Sequence, residues 1–209
     1  MDLPAALLAH LQDLTASIGE DDQDLDDTLD ALTTALRATA ATYCGLRLTI
    51  VESQCPVTLT AFTDGHDASV ATSLRLPLAL VSPAVDPESR VVFFAVTTGA
   101  FTDLAADLSY ALGGIPVDQA SSAADGVDQS GTQVDGRRRA IELDVDLPLL
   151  SRVSGLTGLA ELTVLNRAIG MLVAQGHDTE QARQVLRRDA AAAGSEPHIY
   201  AAGILRQGA

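Results

Sequence analysis

The segment Val91-Val92-Phe93-Phe94-Ala95-Val96 is a continuous run of apolar residues, bordered by Arg90 and Thr97. A run of this length is typical of a strand that is buried on both faces of a sheet. We expect it to form the central strand of the fold, and the other predicted elements are arranged around it.

Three segments before this strand alternate apolar and polar residues, which predicts strands with one apolar face. Turn-forming residues at 53–56 and 64–67 separate them and are short enough for antiparallel hairpins. Pro77 lies in the third segment and indicates an edge strand or a bulge, because proline has no backbone N–H to donate. The apolar positions are Leu46, Leu48 and Ile50; Val57, Leu59 and Ala61; and Leu74, Leu76, Leu78 and Leu80.

Helical periodicity predicts three helices in the first 150 residues. The first begins near Pro4, and the second follows the acidic run 20–22, where negative charge is favourable at a helix N-terminus. The third follows the central strand and ends at Gly113-Gly114. Their apolar positions are Leu7, Leu11, Leu14 and Ile18; Leu25, Leu29, Leu32 and Leu36; and Phe101, Leu104, Leu108 and Leu112.

The leucine stripes of the first two helices have two candidate partners. They can pack on the chain's own sheet, or they can form the seam of a homodimer. The stripes cover too few heptads to decide between these alternatives.

Residues 117–139 show no apolar periodicity and are rich in Ser, Gly, Gln, Asp and Ala, which predicts a mobile loop. Its last residues, Arg137-Arg138-Arg139, form a solvated patch, pair with nearby acidic residues, or contact phosphate. Beyond it, the apolar residues of 141–147 alternate with Glu142, Asp144 and Asp146. We expect a strand at the edge of the sheet with its carboxylates in water, cation binding by them being the alternative.

The last 59 residues predict helices only. One carries a stripe from Leu162 to Leu172, the next begins at the capping pair Asp178 and Gln181, and a third follows Pro197. The predicted fold class is therefore α+β. An antiparallel sheet with covering helices occupies residues 1–150, and a small three-helix bundle occupies residues 151–209.

The charge balance of the chain also changes at about residue 150. Residues 1–150 contain seven Arg against 23 acidic residues, whereas residues 151–209 contain six Arg against five acidic residues. Lysine is absent, so any phosphate contact falls to arginine guanidinium groups. The acidic part should repel nucleic acid over most of its surface, and only the second part is expected to approach a phosphate backbone.

The composition disfavours several classes of protein. The chain has no long apolar run and no basic region before an apolar stretch at its start, so we expect no membrane span, no secretory signal and a cytoplasmic location. Cys44 and Cys55 are expected to be free thiols. No P-loop, dinucleotide-binding, nucleophile-elbow or HExxH motif is present, and a pair of Cys55 with His66 lacks an orienting third group. We expect no catalysis, no metal and no cofactor.

The carboxy-terminal segment resembles a known family. Residues 165–172 read Leu-Asn-Arg-Ala-Ile-Gly-Met-Leu, and residues 180–188 read Glu-Gln-Ala-Arg-Gln-Val-Leu-Arg-Arg. This string resembles the ANTAR module, a three-helix RNA-binding unit with Ala-x-Gly-x-Leu in its first helix and Ala followed by Leu-Arg-Arg in its second. The upstream order of elements is similar to that of a GAF sensor domain, the common partner of ANTAR.

The resemblance implies transcription antitermination, in which a dimer binds paired hairpin loops in nascent RNA under control of the sensor domain. Arg183 and Arg187 lie at i and i+4 on one helix face, so they can bridge phosphates or stack on unpaired bases. Pairing of that face with Glu180 or Asp189 is the alternative. The sequence does not identify a small ligand for the sensor domain. The candidate RNA-binding residues are Arg167, Arg183, Arg187, Arg188, His198 and Tyr200.

Two departures from the family pattern favour a rival function. Ile169 stands where the family usually has a basic residue, and residues 196–202 differ from the usual third helix. The rival is a non-catalytic protein-interaction or ligand-sensing protein whose ANTAR-like module no longer binds RNA. A steep salt dependence of RNA binding would distinguish the two functions.

Overall fold

The computed structural model describes residues 3–17, 23–52, 54–63, 69–119, 140–145, 147 and 154–207 of the 209. Ile18, His66, residues 120–139 of the predicted mobile loop with its arginine cluster, and Asp146 lie outside the described residues, so the predictions made for them stay predictions. Within the described ranges, no helix is both long enough and apolar enough to cross a membrane.

The structure confirms the α+β class and most of the predicted elements. The predicted central strand is β4, and the three alternating segments before it contribute β1, β2 and β3. The helices are α1 (Leu3–Ser17), α2 (Gln23–Thr39), α3 (Thr102–Ala111), α4 (Leu159–Ala174), α5 (Thr179–Ala192) and α6 (Pro197–Gln207). The strands are β1 (Tyr43–Glu52), β2 (Cys55–Phe62), β3 (Thr72–Pro77), β4 (Arg90–Ala95), β5 (Val117–Gln119), β6 (Ile141–Leu143) and β7 (Gly155–Thr157).

The strands form one seven-stranded sheet in the order β5-β6-β3-β4-β1-β2-β7, with β4 in the middle. β3 pairs antiparallel with β4, which places Leu74 opposite Phe93. β3 also pairs antiparallel with β6, whereas β5 and β6 are parallel. All five β4 residues after Arg90 are buried, as expected for an apolar run in a central strand.

The chain divides into two compact units. The amino-terminal unit comprises Met1–Leu48 and Thr60–Gly155, and the carboxy-terminal unit comprises Thr49–Leu59 and Leu156–Ala209. The predicted domain boundary lies at residue 150, which places the whole β1–β2 hairpin in the first domain. The structure groups the hairpin tip with the last helices because Cys55 packs into their apolar cluster.

The core of the amino-terminal unit contains the leucine stripes of its helices. α1 packs on α2 and on α3. The leucines on the facing sides of α1 and α2 are almost fully buried, namely Leu7, Leu11, Leu14, Leu32 and Leu36. These side chains pack inside the unit, as the first of the two alternatives for the stripes predicts.

The third alternating segment is shorter than predicted. We expected Leu78 and Leu80 in a strand, but they lie in a 3₁₀ turn spanning Leu78–Leu80, and Pro77 is the last residue of β3. β3 lies inside the sheet, between β6 and β4, so the prediction of an edge strand was wrong. Proline is accommodated because it stands at the strand end, where a missing donor does not interrupt the ladder.

The acidic strand 141–147 also differs from its prediction. β6 lies between β5 and β3, and β5 begins at Val117, inside the segment predicted to be a mobile loop. Because β5 covers the outer side of β6, Glu142 is only 6 % exposed. Its carboxylate lies 2.9 Å from the guanidinium of Arg75, which stands opposite it on β3.

The carboxylate of Asp144 also has a protein partner, because it accepts a hydrogen bond from the hydroxyl of Thr72 at 2.6 Å. Its backbone φ of 60° ends the strand. The described part of the chain contains no group of three or more His, Cys, Asp or Glu residues able to hold a metal ion.

Tyr43 makes the stability of the amino-terminal unit sensitive to high pH. Burial raises its pKa to about 12, against a smaller opposing influence of the hydrogen bond to Thr33, whereas an unfolded tyrosine has a pKa of about 10. Folding favours the neutral phenol. The contribution of neutral Tyr43 to the free energy of unfolding is therefore complete below pH 10 and is lost as the pH rises to 12. We expect Tyr43 to lower the free energy of unfolding by about 1.4 kcal/mol at pH 11 relative to pH 9.

Urea unfolding of the wild type and of Tyr43→Phe at both pH values measures this contribution. The variant should lack that part of the alkaline loss. An equal loss of stability in the two proteins would contradict the prediction.

Candidate nucleic-acid interface

The three helices of the carboxy-terminal unit pack around one apolar cluster. α4, α5 and α6 each contact the other two. The alanines and leucines of the ANTAR-like string form part of this cluster rather than its surface. The buried members are Cys55, Leu165, Ala168, Ile169, Leu172, Ala182, Leu186 and Ala201.

Local sequence explains where these helices begin and end. Gly158 precedes α4 with a φ of 89°, a conformation that glycine adopts without strain. The predicted capping pair at the start of α5 is confirmed. The Gln181 backbone N–H donates to Asp178 at 2.7 Å, and the Asp178 N–H donates to the Gln181 side chain at 3.3 Å. The prediction of helices only was incomplete, because β7 precedes α4.

Ile169 is an interior residue of this unit. It is 7 % exposed and belongs to the apolar cluster. Its burial accounts for an apolar residue at the position where the ANTAR pattern usually has a basic one. Gly170 beside it is exposed, and a Cβ added there would meet nothing within 4 Å.

Arg183 and Arg187 lie on the same side of α5, as their spacing predicted. Together with Ile169 they line a small crevice at the α4–α5 contact. The guanidinium of Arg183 is 3.1 Å from Glu52 at the hairpin tip, and both side chains are partly exposed. Arg187 is half-buried. Its Nε is buried without a hydrogen-bond partner among the described residues.

Arg188 and Arg167 are the most accessible of the candidate arginines. The Arg188 side chain is 73 % exposed, and its Nε donates to Asp189 at 2.8 Å. That hydrogen bond, reinforced by the carboxylate charge, raises the pKa of the Arg188 guanidinium above its usual value. Arg167 is exposed on α4.

The two candidate residues on α6 are less available for stacking on bases. His198 lies 3.4 Å from the carboxylate of Glu196, and its side chain is 30 % exposed. Tyr200 packs against the apolar cluster and is half-buried. The six candidate residues are therefore spread over three helices, and only Arg183 and Arg187 line a common crevice.

Four residues that were not predicted as site residues share a surface with Arg188. A groove of about 390 Å³ on α5 is lined by His177, Gln181, Gln184, Val185 and Arg188. The signal was present in the sequence, because positions 181, 184, 185 and 188 have the spacing of one helix face. It was overlooked because glutamines carry no charge and fit an ordinary solvated face equally well.

A second pocket lies in the amino-terminal unit. It has a volume of about 210 Å³ and combines two cations with one carboxylate. Its lining residues are Arg75, Pro77, Pro87, Glu88, Ser89 and Arg90.

The thiol of Cys55 is poorly suited to act as a nucleophile. Burial, followed by the charges of Glu161 and Glu196, raises the pKa of Cys55 above its usual value. A thiol that stays protonated at neutral pH is a weak nucleophile. Comparison of the chain with protein-family models, with curated proteins and with solved structures gives no match.

Proposed function

We propose that this protein binds structured RNA through its carboxy-terminal unit and acts as a transcription antiterminator. One observation carries the proposal. The apolar residues of the ANTAR-like string form the interior of the unit, while Arg167 and Arg188 of the same string reach the surface on two contacting helices. An RNA-binding module requires this division between a packed interior and exposed guanidinium groups.

The charge distribution supports an RNA contact confined to the carboxy-terminal unit. Most of the 28 acidic residues lie in the amino-terminal unit, whose surface repels a phosphate backbone. The last helices carry nearly equal numbers of acidic residues and arginines. Phosphate can therefore approach these helices without a large repulsive field.

The ion pair of Arg183 does not prevent it from binding phosphate. Arg183 and Glu52 are 34 % and 49 % exposed, and solvent-exposed pairs of this kind contribute only about 0.2–1 kcal/mol. A hydrogen bond to a charged phosphate can replace such a pair at little cost. Arg183 thus adds to the positive surface once RNA displaces Glu52.

Regulation in this proposal belongs to the amino-terminal, GAF-like unit. Two of its helices precede its strands and a third lies between β4 and β5, and its pocket beside Arg75 and Arg90 offers a place for a small ligand. A homodimer would present two carboxy-terminal units to two RNA hairpins. Binding of the ligand would change how readily these units engage RNA.

Salt dependence tests RNA binding directly. For about four phosphate contacts, made by Arg167, Arg183, Arg187 and Arg188, affinity for a two-hairpin RNA should fall about 50-fold between 50 and 200 mM salt. Arg187→Gln and Arg167→Ala should each reduce the slope of log K against log salt by about 0.7–0.9. Fluorescence anisotropy with labelled RNA measures both quantities.

Arg206→Ala is the matched control, because Arg206 is exposed on α6 but its Nε bonds to the carbonyl of Ala202 in its own helix. This variant should keep the wild-type slope. If the full-length chain does not bind the RNA even at 50 mM salt, the proposal is wrong.

A second candidate function is a protein-interaction module that no longer binds RNA. Four large apolar side chains of the carboxy-terminal unit are 40–54 % exposed, namely Leu156, Leu159, Val173 and Ile199. Apolar surface of this kind favours a protein partner over a polyanion. Absence of RNA binding in the salt titration would favour this function.

A further inference from the structure

The pocket of the amino-terminal unit lies on one face of the β3–β4 pair. Arg75 and Pro77 are two residues apart on β3, and Arg90 stands directly opposite Pro77 on β4. Alternate residues of one strand share a face of the sheet, as do opposite residues of paired strands, so Arg75 and Arg90 are diagonal neighbours. Long side chains at such positions can reach the same ligand. The two guanidinium groups therefore line one pocket.

The turn before β4 completes the pocket and is held by its own hydrogen bonds. It contributes Pro87, Glu88 and Ser89 to the lining. Asp86 accepts the backbone N–H of Glu88 through its carboxylate at 2.8 Å and that of Ser89 through its carbonyl at 2.9 Å. The carbonyl of Glu88 in turn accepts a hydrogen bond from Nη1 of Arg90 at 3.2 Å. A site fixed in this way loses little freedom when it binds a ligand.

The size and the lining of the pocket favour a small ligand with a short aliphatic part. The volume of about 210 Å³ lies below the range of about 300–1,000 Å³ that is typical of sites for larger organic ligands. None of the described lining residues is aromatic, and their apolar surface consists mainly of the rings of Pro77 and Pro87. Such walls suit a short aliphatic group better than an extended ring system.

The charges at the pocket balance, which favours a ligand with zero net charge. Arg75 is paired with Glu142 at 2.9 Å, and Arg90 shares the pocket with Glu88. A simple anion would face the carboxylate of Glu88, and a simple cation would face both guanidinium groups, and both arrangements are repulsive. A molecule that carries one positive and one negative group satisfies both sides of the pocket.

We propose that this pocket binds a free α-amino acid, with its carboxylate on Arg90 and Arg75 and its ammonium group on Glu88; this inference rests on the ligand-sensing role in the proposed function. A guanidinium binds a carboxylate through two parallel hydrogen bonds. Arginine has five N–H donors and a carboxylate has about four acceptor sites, so each group can hold the ligand in addition to its partners in the protein. The amino acid is then the signal to which the antiterminator responds.

Isothermal titration calorimetry of the full-length chain with each common α-amino acid, at low salt and without RNA, tests the inference. At least one amino acid should bind with a dissociation constant of about 1 mM or lower. The corresponding amine, which lacks the carboxylate, should bind at least about tenfold more weakly. The corresponding carboxylic acid, which lacks the amino group, should bind at least about threefold more weakly, a smaller loss because Glu88 is exposed. Inorganic phosphate, the probe for a plain anion site, should not compete.

Two substitutions at the pocket assign the contacts. Arg90→Gln should weaken binding of the amino acid and of the corresponding carboxylic acid alike, by about tenfold. Glu88→Gln should weaken only the amino acid, so that these two ligands bind about equally. Arg37→Gln is the matched control, since Arg37 is exposed on α2 and does not line the pocket. It should bind the amino acid as the wild type does.

The inference is overturned if no amino acid binds, or if the corresponding carboxylic acid or phosphate binds as tightly as the amino acid. It is also overturned if Glu88→Gln keeps the preference for the amino acid, or if Arg37→Gln weakens binding as much as Arg90→Gln. RNA is absent from this assay, so either result leaves RNA binding standing. If an amino acid binds but the RNA titration fails, the inferred site stands and the protein is a ligand sensor that does not bind RNA.

Discussion

In urea unfolding, Gly158→Ala is expected to remove most of the stability of the carboxy-terminal unit, about 4 kcal/mol or more. A Cβ at this position would lie 2.1 Å from the carbonyl oxygen of Pro56 and 3.0 Å from Cα of Val57. Both atoms belong to backbone, which cannot rotate away as a side-chain end can. The φ of 89° adds strain for any residue with a side chain.

The loss of structure should extend along α4, because the carbonyl of Gly158 accepts the N–H of Leu162 at 3.0 Å and this hydrogen bond forms the first turn of the helix. Far-UV circular dichroism during the titration reports the loss. Gly170→Ala is the matched control in the same unit, since its Cβ meets nothing within 4 Å. It should raise stability by about 0.5–1 kcal/mol, as alanine favours a helix interior. Equal unfolding midpoints for Gly158→Ala and the wild type would refute the prediction.

Glu142→Ala is expected to destabilise the amino-terminal unit by about 3 kcal/mol, the lower end of the range for breaking a buried ion pair. Glu142 is almost fully buried, whereas the Arg75 side chain is 27 % exposed, so water compensates part of the charge left behind. The two residues face each other across the β3–β6 pair. Loss of the carboxylate therefore removes the negative charge that lies 2.9 Å from the guanidinium of Arg75.

The double variant Arg75→Met with Glu142→Met distinguishes the loss of the pair from loss of packing. Removing both charges together should restore most of the stability, because neither side chain then requires a buried counter-charge. Thermal unfolding of the three proteins measures the effect. A double variant no more stable than Glu142→Ala would show that the charge pair is not the cause.

The predictions that held depend on patterns between near neighbours in the chain. The apolar run 91–96 contributes the middle strand of the sheet, and the pair Asp178 and Gln181 caps α5 as predicted. Each of these patterns reflects the period of a strand or the free N–H groups at a helix start. Such properties act over a few residues and can be read without knowing the fold.

The predictions that failed concern which segments meet in space. Glu142 was expected in water, but β5 covers β6 from a segment that showed no strand pattern. Leu78 was expected in a strand, but the 3₁₀ turn after Pro77 buries it. Three residues of β5 are too few to show a period, so pairing with β6 rather than local preference holds them in a strand.

The candidate interface depends on both kinds of information. The residues of the ANTAR-like string, the two amides of α5 and the separation of charge between the ends of the chain are all visible in the printed sequence. Which guanidinium is paired depends on distant segments, since Arg183 meets Glu52 from the β1–β2 hairpin. Spacing along a helix assigns a side chain to a face, whereas the neighbours of that face are chosen by the packing of the whole unit.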